Sequence, residues 1–112
     1  VLHMNPFFLT ISRHNYSIEV EESAKPVLLC FWANWCPPCQ TVLNRLDGLA
    51  DDLSQTVKLG LVNVDQEPEI VTDLGITSIP TLVLLCDGAA RTSIQGIKTK
   101  RDLRHLITVA LH

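Results

Sequence analysis

Residues 31–39 read Phe31-Trp32-Ala33-Asn34-Trp35-Cys36-Pro37-Pro38-Cys39, and the flanks of this stretch decide the fold. It begins inside Val27-Leu28-Leu29-Cys30-Phe31-Trp32, a continuous apolar run that suits a strand buried on both faces. It ends where Pro37 and Pro38 open a helix, at positions whose N–H groups have no intrahelical partner to lose. Val42, Leu43, Leu46, Leu49, Ala50 and Leu53 follow at helical spacing, which predicts a helix to about residue 53. A Cys-x-x-Cys pair therefore lies at a strand-to-helix junction. There the positive end of the helix dipole stabilises a thiolate, lowers the pKa of Cys36 and makes it a nucleophile at neutral pH. Cys39 lies one turn deeper, within reach of a mixed disulfide formed on Cys36. Neither proline supplies an N–H to Cys36, so the Cys39 amide is the first backbone donor inside the helix. Dipole and local charge are expected to outweigh direct hydrogen bonds.

Outward from this junction two periodicities alternate. Phe8–Ile11 is a short apolar strand, and residues 14–22, with Tyr16 and Val20 four apart, form a weak helix that Pro26 ends. Val57–Val64 is a buried, β-branched strand. Pro68 opens a short helix carrying Ile70, Val71 and Leu74, which Gly75 closes. Thr81–Leu85 is a fourth strand. Asp87-Gly88 is a hairpin signal, so the next strand, about 92–96, runs antiparallel to it. Thr99 caps a last helix, with Asp102 as its capping-box partner, and Leu103, Leu106, Ile107, Ala110 and Leu111 form its apolar face. The order βαβαβαββα describes an α/β fold: a central mixed sheet with helices on both faces.

The chain has 112 residues, enough for one domain with a real core and no need of disulfides merely to stay folded. Residues 1–7 are set apart as an N-terminal tail or cloning remnant, and 8–112 as the domain. Nine basic against twelve acidic side chains leave a net charge of −3, with no basic stripe for nucleic acid. No apolar run approaches the ~20 residues that span a bilayer. No secretory signal is present in the sequence as it stands, so the expected compartment is the cytoplasm, or the periplasm if a signal has been removed. The protein is expected to act as a monomer.

A Cys-x-x-Cys pair can also be half of a zinc site, but His3, His14, His105 and His112 show no ligand spacing. A purely structural bridge is another option, although a loop this small stabilises little. No metal or cofactor beyond a redox-active disulfide is expected.

At this point the sequence resembles thioredoxin. Phe31 to Cys39 looks like the family's FWAxWCxPC segment. Val62-Asn63-Val64-Asp65-Gln66-Glu67-Pro68 looks like its third strand and following turn, and Leu74-Gly75-Ile76-Thr77-Ser78-Ile79-Pro80-Thr81-Leu82 like its GIxxIPT segment. Gly88 and Gly96 match two later family glycines. The resemblance runs from Phe8 to Leu111 and implies a thioredoxin fold and a thiol–disulfide oxidoreductase acting on protein disulfides. It implies that Pro80 is cis and faces the cysteines, and that the Ile79 backbone is offered for strand-like pairing with a bound peptide. Trp35, Val64, Ser78, Ile79 and Gly96 would form an apolar rim for substrate. Trp32 would pack beneath the site and Asp65 would orient the Trp35 indole. A reductase or other thiol–disulfide electron donor would be the second partner.

Five positions depart from the family pattern. Cys30 holds the place of a buried Asp, and Leu61 that of its Lys partner, so an apolar pair replaces an ionic one. The dipeptide between the cysteines is Pro37-Pro38 rather than Gly-Pro. Asn44 replaces a mid-helix proline, and Gln40 a lysine. These departures keep two alternatives in view: an isomerase, oxidase or dedicated partner reductase, and a non-catalytic chaperone or assembly module using the same rim. Cys30, mid-strand, reads as a small buried hydrophobe, with a third redox thiol as the sharper reading. Cys86 reads as an inert thiol at a strand end.

Overall fold

The computed structural model describes residues 5–96 and 98–111, the last stretch without the side chains of Leu106, Val109 and Ala110. Five strands form one sheet: β1 (Phe8–Thr10), β2 (Val27–Trp32), β3 (Lys58–Asn63), β4 (Thr81–Cys86) and β5 (Ala89–Gln95). Their spatial order is β1-β3-β2-β4-β5. β1 and β2 pair parallel with β3, whereas β4 is antiparallel to β2 and β5 to β4. Among the described residues three α-helices, α1 (Pro37–Leu53), α2 (Pro68–Asp73) and α3 (Lys100–Leu111), and a π-helix over Ser17–Glu21 complete the fold.

The strand alternation divides the core. Leu28 and Cys30 of β2, Leu59 and Leu61 of β3, and Leu82 and Leu84 of β4 pack with Val42, Leu43 and Leu46 of α1 and Leu103 and Ile107 of α3. Leu29, Phe31, Val62, Val83 and Leu85 point the other way, onto Ile11, Val20 and Ile70 of α2. Both faces are therefore covered, which is why the central strands read as unbroken apolar runs. Each fully buried Leu or Phe contributes roughly 1.5–3 kcal/mol to this packing. Gly60 sits between Ile11 and Leu29, where a Cβ would lie 2.7 Å from each side chain.

Most predicted elements are present, with shifted ends. The expected helix over residues 14–22 is present but shorter, a π-helix over Ser17–Glu21, with the Glu19 amide on the Asn15 carbonyl at 2.8 Å and the Glu22 amide on the Ser17 carbonyl at 2.9 Å. The preceding chain is held in a turn by Asn15, whose side chain bonds the Ser12 amide and the Thr10 carbonyl. β5 begins at Ala89, three residues before the expected start, because Asp87 and Gly88 both have positive φ and this two-residue turn lets pairing resume at Cys86–Ala89. The register breaks between Leu84 and Leu85, leaving Arg91 as the extra residue of a bulge. Gly75 ends α2 with its amide on Thr72 and the Ile76 amide on Val71, the paired bonds of a Schellman cap. The Thr99 hydroxyl accepts from the Asp102 amide at 3.1 Å. No return bond comes from the Asp102 carboxylate, which is one methylene shorter than the Glu of a capping box. Leu103 and Ile107 are buried as expected and Leu111 packs at the edge; the Leu106 and Ala110 side chains lie outside the described residues. Of the expected tail, residues 1–4 also lie outside them, and Asn5 is tied to α1 through Asp47 at 2.7 Å.

Candidate active site

The topology gathers the site at one edge of the sheet. β2 and β3 are parallel, so their C-terminal ends, Trp32 and Asn63, lie side by side. β4 is antiparallel to β2, so its N-terminal approach, Ser78-Ile79-Pro80, arrives at the same edge. β5 ends there too, and the Gly96 amide donates to the Pro80 carbonyl at 3.0 Å. Ligand sites in open α/β sheets favour this carboxyl-end position.

Cys36 is the N-cap of α1, and Pro37 and Pro38 fill its first two helical positions. Both prolines are exposed. Cys36 and Cys39 are joined by a disulfide, with their Cα atoms 5.3 Å apart. The Cys39 amide donates to Cys36 Sγ at 3.3 Å. With both prolines silent, the one amide left at the helix start is shared between the first sulfur and the Cys36 carbonyl, the latter at 3.0 Å. Exposure is 4% at Cys36 and 0% at Cys39. The two sulfurs pack with Ala33, and Trp32, Val64 and Ile79 close the cluster.

Around this cluster the other expected residues take defined places. Trp35 is 66% exposed, yet its Nε1 donates to Asp65 Oδ2 at 2.8 Å. Asp65 is itself held by its amide bonding to Asn63 Oδ1. The Val64 amide donates to the Trp32 carbonyl at 2.9 Å, joining the ends of β2 and β3. Ile79–Pro80 is cis, Pro80 is buried, Ile79 half-buried, and Ser78 and Gly96 exposed. Neither the amide nor the carbonyl of Ile79 bonds to another described backbone group. Two contributors escaped the sequence reading. Ala33 forms part of the floor under the disulfide. The Thr81 hydroxyl donates to the Ser78 carbonyl at 2.6 Å and fixes the loop ahead of Pro80. The signal for the second was a Thr three residues after Ser78, a spacing at which hydroxyls bond the local backbone.

Cys30 lies elsewhere. It pairs in register with Leu61 and Leu82 and belongs to the α1/α3 side of the core. Burial pushes its thiol up to about 12, which favours the neutral form of a core residue. Cys86 is half-buried, and both thiols are free. Cys86 stands four residues from Leu82 along β4, about 13 Å of strand, too far for a Cys30–Cys86 bridge. Among the described residues no group of three or more His, Cys, Asp or Glu is placed to hold a metal ion, and no helix is long and apolar enough to cross a membrane.

Comparison with known proteins agrees with this geometry. The family model described as Thioredoxin matches residues 7–109. The thioredoxin of Griffithsia pacifica is 40% identical over 85 residues, covering 76% of this chain and 78% of its own length. Thioredoxin 1 of Synechococcus elongatus is 40% identical over 89 residues, 80% of this chain and 83% of its own. The thioredoxin of Rickettsia felis is 36% identical over 93 residues, 83% and 89% of the two chains.

Proposed function

The chain belongs to the thioredoxin family and is a thiol–disulfide oxidoreductase, and from that premise we propose that Cys36 is its attacking thiol, Cys39 its resolving thiol and Ile79-Pro80 the seat of the substrate backbone. The observation that carries this reading is the Cys36–Cys39 disulfide at the first turn of α1, enclosed by Trp32, Val64 and Ile79. In the reduced protein the Cys36 thiolate, favoured by the helix start and the Cys39 amide, attacks one sulfur of a protein disulfide. The substrate S–S bond breaks, its second sulfur leaves as a thiolate and takes a proton, and a Cys36–substrate mixed disulfide remains. Cys39 then loses its proton and attacks Cys36 Sγ. The Cys36–Cys39 disulfide forms, the second substrate thiolate departs, and two electrons have passed to the substrate. A thiol donor such as a reductase reverses these steps on the enzyme.

Substrate recognition follows from the rim. The free amide and carbonyl of Ile79 suit pairing with an extended peptide, while exposed Trp35 together with Val64, Ser78 and Gly96 offers apolar and backbone surface beside the sulfurs. Asp65 holds the Trp35 ring in one orientation. The test is insulin reduction with dithiothreitol as donor. Cys36→Ser is expected to abolish turnover, and Cys39→Ser to stop after one step and accumulate a mixed disulfide. A Cys36→Ser protein as active as wild type ends the assignment.

A further inference from the structure

Trp32 closes β2 and packs against both the α1/α3 core and the Ala33–Cys36–Cys39 cluster. Its Nε1 is buried and has no hydrogen-bond partner, the one side-chain nitrogen or oxygen among the described residues in that condition. Leaving a buried N–H unbonded is costly, and native interiors hold few such groups. The other indole of the site shows the ordinary solution, since Trp35 Nε1 is bonded to Asp65.

The cluster against which Trp32 packs holds a sulfur that is itself short of a donor. Cys39 is fully buried, and its own amide is shared between the Cys36 carbonyl at 3.0 Å and Cys36 Sγ at 3.3 Å. The side chains closing its cluster are Ala33, Trp32, Val64 and Ile79, none of them ionisable. The nearest carboxylate along the chain from Val64 is Asp65, exposed and held by Trp35. The Cys30 thiol, two residues before Trp32, lies in the other cluster. Yet Cys39 must carry negative charge twice in the cycle. It becomes a thiolate before it attacks Cys36 in the mixed disulfide, its proton passing to water or to the substrate thiolate released first. It leaves as a thiolate again when a donor thiolate attacks Cys36. An anion in so dry a place is strongly disfavoured unless a donor meets it, and N–H bonds to an ionised acceptor are the stronger kind.

We propose that the Trp32 indole N–H is a reserve donor for the Cys39 thiolate, unpartnered while the disulfide is closed and engaged when it opens. The inference rests on Cys39 being the resolving thiol. It makes Trp32 more than packing beneath the site: the cost of the unbonded N–H falls on the oxidised form, and its bond stabilises the resolving form.

The experiment replaces Trp32 alone by β-(3-benzothienyl)alanine, in which sulfur takes the place of the indole N–H at nearly the same shape, with Trp32→Phe as a second variant. In the reduced proteins, Cys39 carrying a ¹³Cβ label is titrated by NMR, and resolution of a Cys36 mixed disulfide is timed. The expected result is about tenfold less Cys39 thiolate at a given pH, a midpoint about one pH unit higher. Resolution slows by a similar factor, while the first attack by Cys36, followed with Cys39→Ser, changes less than twofold. In wild type the Trp32 indole proton shifts with the Cys39 midpoint. An unchanged Cys39 midpoint in both variants, or a Trp32 proton indifferent to it, overturns the proposal. That failure is distinct from failure of the thiol roles, which an active Cys36→Ser protein would show.

Discussion

Raising the pH from 8 to 10.5 is expected to destabilise the oxidised protein by about 2 kcal/mol through Cys30 alone. The thiol is 1% exposed, lies between Leu61 and Leu82, and is pushed by burial from an ordinary 9.0 up to about 12. Between these two values the unfolded chain has released the proton while the folded chain keeps it. The unfolded state then binds fewer protons, so stability falls as pH rises, by ~1.4 kcal/mol per pH unit. Below pH 9 the contribution is fully present. Integrated to pH 10.5, the loss is ~2 kcal/mol, and the ceiling near pH 12 is ~4 kcal/mol. The assay is urea denaturation of the oxidised protein at half-unit steps of pH, compared with Cys30→Ala. The Cys36–Cys39 bridge does not titrate. Tyr16, also raised by burial and by Glu21 and Asp73, is common to both proteins, so the difference isolates Cys30. Any constant cost of the smaller side chain moves the offset and not the slope. Parallel stability curves from pH 8 to 10.5 would refute the reasoning. They would mean that the Cys30 thiolate is tolerated in the fold, and would reopen its candidacy as a redox thiol.

Two further outcomes follow from the packing and the rim. Gly60→Ala places a methyl 2.7 Å from Ile11 Cγ1 and from Leu29 Cδ2, both on side chains with no exposure; a loss of about 1–3 kcal/mol in urea denaturation is expected, and an unchanged midpoint would show that this face relaxes freely. Asp65→Ala removes the acceptor of Trp35 Nε1 on an exposed rim, so stability should change by no more than about 1 kcal/mol, whereas KM for insulin should rise with kcat little altered; an unchanged KM would show that the ring's orientation does not serve binding.

The elements that were legible in the sequence are those whose signal is local. Pro37-Pro38 and the apolar spacing from Val42 to Leu53 marked α1 because helix starts and faces have fixed residue preferences. Asp87-Gly88 marked the hairpin because two consecutive positive φ angles demand such residues. What slipped was set by competition. Tyr16 and Val20 are spaced for a helix and lie in one, but the Asn15 side chain holds the chain ahead of it in a turn, so the helix is short, Ser17–Glu21. β5 was expected to start late because Ala89-Ala90-Arg91 carries no apolar signal, being the exposed edge strand; pairing there follows from the turn, not from burial.

The cysteine pair at its strand-to-helix junction by itself pointed to the chemistry, and together with the Val62–Pro68 and Leu74–Leu82 segments it carried the family resemblance, since each of these motifs is local in the chain. Only the tertiary structure decided which groups meet the sulfurs. Trp32, Val64 and Ile79 come from three separate segments, and it is the fold that closes them around the two sulfurs with no ionisable side chain among them. The same holds for Cys30. Its place in an apolar run foretold burial, but only the fold sets Leu61 and Leu82 beside it on the neighbouring strands.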